Sequence, residues 1–334
     1  MAGSGLEGYE ATSKEDMWDR FFTTQAVEAN SKGKDPRMTF IISRLIPHLH
    51  DFAREVRLTF EEWQLGLKFL VDVGKTCTDV RHEFILLSDV LGLSVLVDAM
   101  SHVKAKNATP GTLLGPFHTE DANVFEQGEC IVSKENEGDP LTLYGTVRDI
   151  HGNPIPNVSI DIWETDETGH YDTQYDDRNG PDYRGIIYTD AEGKYLIKGI
   201  VPVSYPIPHD GPVGRFLTYV GRHPYRPAHI HFKLEKEGYD NLITGLYMKG
   251  DKYSGEDAVF GEKKELTVEP KKFGDQKLAE KYMSNADDYF INFDITLMST
   301  KESMELFDAQ SRRDLKTLGI DAKVVNGVPI ADLD

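Results

Sequence analysis

The hydrophobic pattern changes period at Thr109-Pro110-Gly111, and that change constrains the fold more than any other feature of the chain. Upstream, apolar residues recur every three or four positions, as in Phe60, Trp63, Leu67 and Leu70. This spacing predicts about four amphipathic helices between residues 13 and 106. Asp35 followed by Pro36 suits a helix start, and Thr59 with Glu62 three residues on forms a capping box. Downstream, strand-like runs such as those at 141–147, 158–163, 186–189, 195–197, 230–234, 242–248, 266–269 and 289–297 alternate with turn clusters such as Gly152-Asn153-Pro154. About nine short strands suffice for two packed sheets. The expected architecture is α+β: a helical domain over residues 1–110, a mixed-topology β-sandwich over 111–300, and a tail from 301 to 334 read as a surface helix and then loose chain.

Charge and composition narrow the class of partner. Lysine and arginine number 37 against 56 aspartates and glutamates, a net charge of −19, which argues against nucleic acid and anionic membrane as partners. Cys77 and Cys130 stand alone, so neither a disulfide framework nor a thiolate metal site is expected. The N-terminal stretch lacks a basic segment leading into an apolar run, and the longest apolar run, 90–100, is too short to cross a bilayer. A soluble, cytoplasmic protein is expected.

The stretch that carries chemistry is Gly221-Arg222-His223-Pro224-Tyr225-Arg226-Pro227-Ala228-His229-Ile230-His231-Phe232. On a strand, residues i and i+2 share a face, so His229 and His231 project together and can chelate one metal. Copper, zinc and iron proteins all show such a pair, as do plain structural histidines, so the pair alone leaves both readings open. Tyr171, in Thr165-Asp166-Glu167-Thr168-Gly169-His170-Tyr171, and Tyr205, in Pro202-Val203-Ser204-Tyr205-Pro206, are upstream candidates. Most tyrosines in such places pack or donate hydrogen bonds.

Together these segments resemble the intradiol ring-cleavage dioxygenase family, whose Gly-x-Tyr, Pro-x-x-Tyr-Pro and Arg-Pro-Ala-His-Ile-His motifs are all matched. The resemblance runs over roughly residues 15–300 and includes Gly115-Pro116-Phe117. Ser204-Tyr205-Pro206-Ile207-Pro208-His209-Asp210-Gly211 and Gly221-Arg222-His223-Pro224 are most similar to hydroxyquinol 1,2-dioxygenases.

The resemblance implies one Fe(III) per chain, held by Tyr171, Tyr205, His229 and His231, and a reaction that splits an aromatic diol or triol with O2 between its hydroxyl-bearing carbons. Tyr205 would also accept a substrate proton, and Arg226 would favour the electron-rich ring by its charge. Leu86, Asp89, Pro116, Phe117, Val203 and Val259 would line the substrate, with Asp89 receiving a third ring hydroxyl. Where catechol-specific members often carry glutamine, this chain has Gly245, which leaves more space near the metal. His118, His209 and His223 are read as surrounding or surface residues. The N-terminal helices resemble the family's dimer-forming domain, whose channel often holds a phospholipid, so a homodimer is expected.

Two rivals stand beside hydroxyquinol cleavage. One is a catechol or substituted-catechol 1,2-dioxygenase of the same fold, giving cis,cis-muconate. The other is a non-catalytic prealbumin-like sandwich, which Gly145-Thr146-Val147 and Thr189-Asp190-Ala191-Glu192-Gly193-Lys194-Tyr195 also resemble. Fold alone does not separate these.

Overall fold

A computed structural model describes residues 20–78, 81–133 and 138–333. The expected helical residues 13–19 lie outside the described residues. The chain divides into two compact units, one taking the described residues up to Phe69 together with those from Asp308 onward, the other running from Leu70 to Phe307.

The first helices are α1 (Arg20–Asn30), α2 (Pro36–Glu55) and α3 (Phe60–Thr76). Asp35 caps α2 by accepting the N–H groups of Arg37 and Met38 at 2.8 and 3.1 Å, with Pro36 in the first turn. Thr59 and Glu62 close a reciprocal capping box at the start of α3, at 2.9 and 3.2 Å. Two further helices, α4 (Glu83–Val90) and α5 (Leu93–Ser101), follow, so the described residues hold five helices here rather than four. The extra break falls at Gly92, whose φ of +74° is a left-handed conformation that ends one helix and starts the next at little cost only for glycine. Among the described residues no single helix is long and apolar enough to cross a membrane.

The larger unit is built on two sheets. In the first, β1 (Pro140–Asp149) pairs antiparallel with β4 (Lys194–Ile200) and parallel with β11 (Tyr289–Asn292) and β12 (Ile295–Leu297), and β10 (Lys271–Lys272) pairs antiparallel with β11. The second has the order β3 (Arg184–Tyr188), β2 (Ser159–Trp163), β7 (His229–Glu235), β8 (Leu242–Met248), β9 (Thr267–Val268). The sequence pattern predicts one strand over 289–297, yet it is split at Phe293-Asp294. The Phe293 carbonyl presses onto Gly145, where an added Cβ would sit 2.0 Å from it, and Asp294 accepts the Thr146 N–H at 2.8 Å. One strand thus offers β1 two separate parallel partners.

Alternation along the second sheet decides where chemistry can sit. Ile160 and Ile162 of β2, Ile230, Phe232 and Leu234 of β7, and Leu242, Leu246 and Met248 of β8 enter the sandwich core with Leu141, Leu143 and Ile197 of the first sheet. The intervening residues, Trp163, His229, His231, Gly245 and Tyr247, therefore share the opposite face. Register places Trp163 and Gly245 on either side of His231, and Tyr247 beside His229.

The tail departs from expectation. Helix Thr300–Thr317 is followed by a hairpin, β13 (Lys323–Val325) with β14 (Val328–Ile330), in place of loose chain. Asn326 and Gly327, both at positive φ (50° and 76°), supply the two-residue turn that matches strand twist. β14 lies on α2, where Arg37 Nη1 donates to the Pro329 carbonyl at 2.7 Å.

Candidate metal centre

Three separate local structures bring four candidate donors together on that outer face. His229 and His231 stand two residues apart on β7, both 1 % exposed, with their Nε2 atoms 3.0 Å apart. Tyr205 begins the two-residue strand β5 (Tyr205–Pro206), which pairs with β6 (Tyr225–Arg226) just upstream of β7. Tyr171 follows a turn organised by the Asp166 carboxylate, which accepts the N–H groups of Thr168 and His170 at 2.8 and 3.0 Å. At the apex Gly169 has φ +86°, and a Cβ there would meet the Tyr205 Cβ at 3.2 Å. Glycine thus lets the turn close onto the Tyr205 segment, which is the physical content of Gly-x-Tyr. The Tyr171 hydroxyl donates to the Tyr205 oxygen at 3.2 Å.

The donors are held by ring packing. Trp163 stacks on His231 with centroids 4.8 Å apart and planes 4° apart, Tyr247 stacks on His229 at 5.0 Å, and Phe117 on Tyr171 at 4.6 Å. The buried Arg184 donates to the Phe117 carbonyl at 3.0 Å and pairs with Asp172, the neighbour of Tyr171, so the stacked pair is fixed from behind.

Protonation suits a cation. His229 Nδ1 lies 2.7 Å from the Pro227 carbonyl, so it carries the proton and Nε2 presents a lone pair. Burial, then the Arg226 charge, hold the His229 imidazole well below its ordinary value, and burial followed by its neighbour His229 does the same for His231. Both are neutral donors. Among the described residues His231 Nδ1 is buried without a hydrogen-bond partner, leaving this ring's polarity answered there only on its Nε2 side. Burial, and then Tyr205, push the Tyr171 phenol well above its ordinary value, so it ionises only against a strong positive charge.

Two nitrogens about 2.1 Å from one metal, at a right angle, lie about 3.0 Å apart, which is the spacing seen. Among the described residues no group of three or more His, Cys, Asp or Glu could hold a metal, so a metal here would depend on the phenols. Two hard phenolate oxygens and two neutral imidazoles fit a ferric ion.

Arg226, 3 % exposed, sits beside the donors. Its Nη1 donates to Tyr205 at 3.3 Å, its Nη2 to the Tyr247 hydroxyl at 3.0 Å, and its Nε to Asp257 at 3.1 Å. Although burial opposes the charge, the Asp257 carboxylate keeps the guanidinium protonated. Asp257, Tyr247 and Trp163 are absent from the sequence-derived set. Trp163 and Tyr247 are legible only once strand register is known, and nothing in the sequence marks Asp257.

Of the expected substrate residues, Phe117 touches Tyr171, Val203 lies by the Gly169 turn, and Val259 is buried two positions after Asp257. Leu86 is buried on α4 and Asp89 half-buried. Burial raises the Asp89 carboxyl, the Ser94 hydroxyl opposes this, and Asp89 feels the charges of Arg226 and Asp257, which places it within electrostatic reach of the site. Pro116 is exposed, while its neighbour Gly115 lies against the His231 ring. A Cβ on Gly245 would have neighbours no nearer than 3.4 Å, so the residue opposite His231 leaves usable space. His118 bonds Asp161 at 2.8 Å behind Trp163, His209 bonds the Ile207 carbonyl, and His223 bonds Glu256. A cavity of about 790 Å³ lined by Arg222, His223, Phe260 and Lys264 borders the centre only at Asp257, so its volume does not measure the room for a ligand at the donors.

Comparison with known proteins bears on this arrangement. Residues 113–298 match the family model described as Dioxygenase, and residues 35–109 the one described as Catechol dioxygenase N terminus. The chain is 52 % identical to the intradiol ring-cleavage dioxygenase hqdA of Aspergillus niger, over 93 % of this chain and 94 % of that protein. It is 44 % identical to the 6-chlorohydroxyquinol 1,2-dioxygenase of Cupriavidus pinatubonensis, over 73 % of this chain and 88 % of that one. Among solved structures, hydroxyquinol 1,2-dioxygenase from Pseudomonas putida DLL-E4 superposes with a TM-score of 0.78 at 38 % identity, covering 84 % of this chain and 98 % of that one.

Proposed function

The chain belongs to the intradiol ring-cleavage dioxygenases, and from that premise we propose that it cleaves hydroxyquinol (1,2,4-trihydroxybenzene) with O2 to 3-hydroxy-cis,cis-muconate, the enol of maleylacetate. Both oxygen atoms enter the product. The convergence of Tyr171, Tyr205, His229 and His231, which would be the ligands of one Fe(III) per chain, carries the reading. When bound, ferric iron would supply Lewis acidity toward the hydroxyl groups of the substrate.

The protein's own groups do the rest. Tyr205, whose oxygen is flanked by the Tyr171 oxygen and Arg226 Nη1, takes as a phenolate the proton that a substrate hydroxyl gives up and becomes the neutral phenol. Arg226 holds a fixed positive charge where the ring gains electron density, and burial of the site keeps solvent from screening it. Trp163 and Tyr247 clamp the imidazoles so that their lone pairs stay directed. Phe117, Leu86, Val203 and Val259, with Pro116 at the rim, form the apolar wall, and Asp89 accepts the third hydroxyl.

Oxygen uptake tests the substrate. Hydroxyquinol is expected to exceed catechol in kcat/KM by about a hundredfold or more, because a polar group placed for a hydroxyl is left unpaired by a substrate lacking one. Equal or higher turnover of catechol would establish the catechol 1,2-dioxygenase reading instead.

The proposed domain division is 1–110, 111–300 and 301–334, with a homodimer formed through the N-terminal helices. Met38, Ile41, Leu45, Leu49 and Phe52 support it: they follow helical spacing along α2 and are exposed in the single chain. A phospholipid between such faces would be a filler outside the reaction. Light scattering that reports a monomer would contradict the dimer.

A further inference from the structure

We propose that Asp257 and Tyr247 are positioning residues for Arg226, fixing the guanidinium so that its Nη1 stays on the Tyr205 oxygen. The inference rests on the role given to Arg226 above. A guanidinium offers five N–H donors in a rigid fork. Asp257 grips one edge of it, taking Nε on Oδ1 at 3.1 Å and Nη2 on Oδ2 at 3.3 Å, while the Tyr247 hydroxyl takes Nη2 at 3.0 Å. With that edge engaged, Nη1 is the end that reaches Tyr205.

The grip is itself fixed. Asp257, whose side chain is 2 % exposed, also accepts the backbone N–H groups of Val259, Gly261 and Glu262 at 3.2, 2.9 and 3.1 Å, so its two oxygens have little freedom to turn. Gly261 closes over the same place: a Cβ there would come within 2.8 Å of both Arg226 Nη2 and the Tyr247 hydroxyl. Tyr247 in turn lies with its ring on His229, so one residue holds both a donor imidazole and the cation. A buried guanidinium without a counter-charge is strongly destabilising and would turn toward another acceptor or solvent. Here the counter-charge is placed on the edge away from Tyr205, which leaves the Nη1 bond to the phenol undisturbed.

A mutant cycle on the iron-loaded protein decides this, using Tyr247→Phe, Asp257→Asn, Arg226→Lys and the two doubles with Arg226→Lys. Each single variant is expected to lower kcat by about tenfold or more with KM little changed, since fixed donors act in the transition state. Each should also move the resting tyrosinate charge-transfer band to longer wavelength, because the Tyr205 phenolate loses a hydrogen-bond donor. On the Arg226→Lys background, the other two substitutions should add less than about twofold, the mark of groups acting through one residue. Effects that multiply fully, or that appear only as a lower melting temperature with band and kcat unmoved, would overturn the proposal. Asp257→Asn also disturbs three backbone N–H partners, so the isosteric Tyr247→Phe decides alone if that variant fails to fold. Wild-type kcat and band in Arg226→Lys would instead refute the catalytic role of Arg226 itself.

Discussion

Glu164 gives the most quantitative test of the fold around the site. It follows Trp163, is 1 % exposed, and accepts the Ile200 N–H on Oε1 at 3.0 Å, while Oε2 has no partner among the described residues. Ile200 ends β4 and begins the segment that leads to Tyr205. Burial, partly opposed by the Ile200 N–H, pushes the carboxyl up from 4.5 to about 8. Between these values the folded chain keeps a proton that the unfolded chain has released. Stability must therefore fall as pH rises through the window, be fully retained below 4.5, and lose no more above 8. At about 1.4 kcal/mol per pH unit the whole interval amounts to something on the order of 5 kcal/mol. Urea unfolding at steps between pH 5 and 8 should show wild-type stability dropping relative to Glu164→Gln by about that slope. The neutral amide still accepts the Ile200 N–H through its oxygen and has no proton to lose. Parallel pH curves for the two proteins would refute the reasoning.

Further outcomes follow from the same geometry. Tyr171→Phe and His229→Ala should each lose bound iron and visible colour, and metal analysis showing full iron and colour in both would disprove the ligand set. Asp89→Ala should cut the preference for hydroxyquinol over catechol by about tenfold or more, as loss of a specific hydroxyl partner does; unchanged discrimination would remove Asp89 from recognition. Gly261→Ala forces a Cβ to within 2.8 Å of Arg226 Nη2 and should cost about 1–3 kcal/mol in denaturant unfolding, as overpacking does. A wild-type midpoint would show that this corner is looser than described.

Much of the fold could be read from local pattern, because period and caps are local properties. The Asp35 and Thr59 helix starts, the helical run before Thr109 and the strands around Leu141, Ile160, Ile230 and Leu242 all follow from residues a few positions apart. The pairing of His229 with His231 is of the same kind. Most of what escaped depends on distant chain. The break of the 289–297 run comes from Gly145 receiving the Phe293 carbonyl, and the helix break at Gly92 is a backbone conformation that apolar periodicity does not register. Trp163 and Tyr247 earn their places by cross-strand register, which the sequence does not state. Asp257 reaches Arg226 across 31 residues, and its loop carries no repeating pattern. The terminal hairpin had a local signal in Asn326-Gly327, overshadowed by the charged residues around it.

The central claim, that four residues from three segments hold one ferric ion that binds the substrate, is tested most directly by the visible spectrum of the purified protein. It should be recorded with iron analysis, before and after anaerobic addition of hydroxyquinol and, separately, catechol. The account predicts about one iron per chain and a tyrosinate charge-transfer band. That band should move to longer wavelength on addition, at lower concentration for hydroxyquinol than for catechol. A protein that stays colourless after iron reconstitution would contradict it.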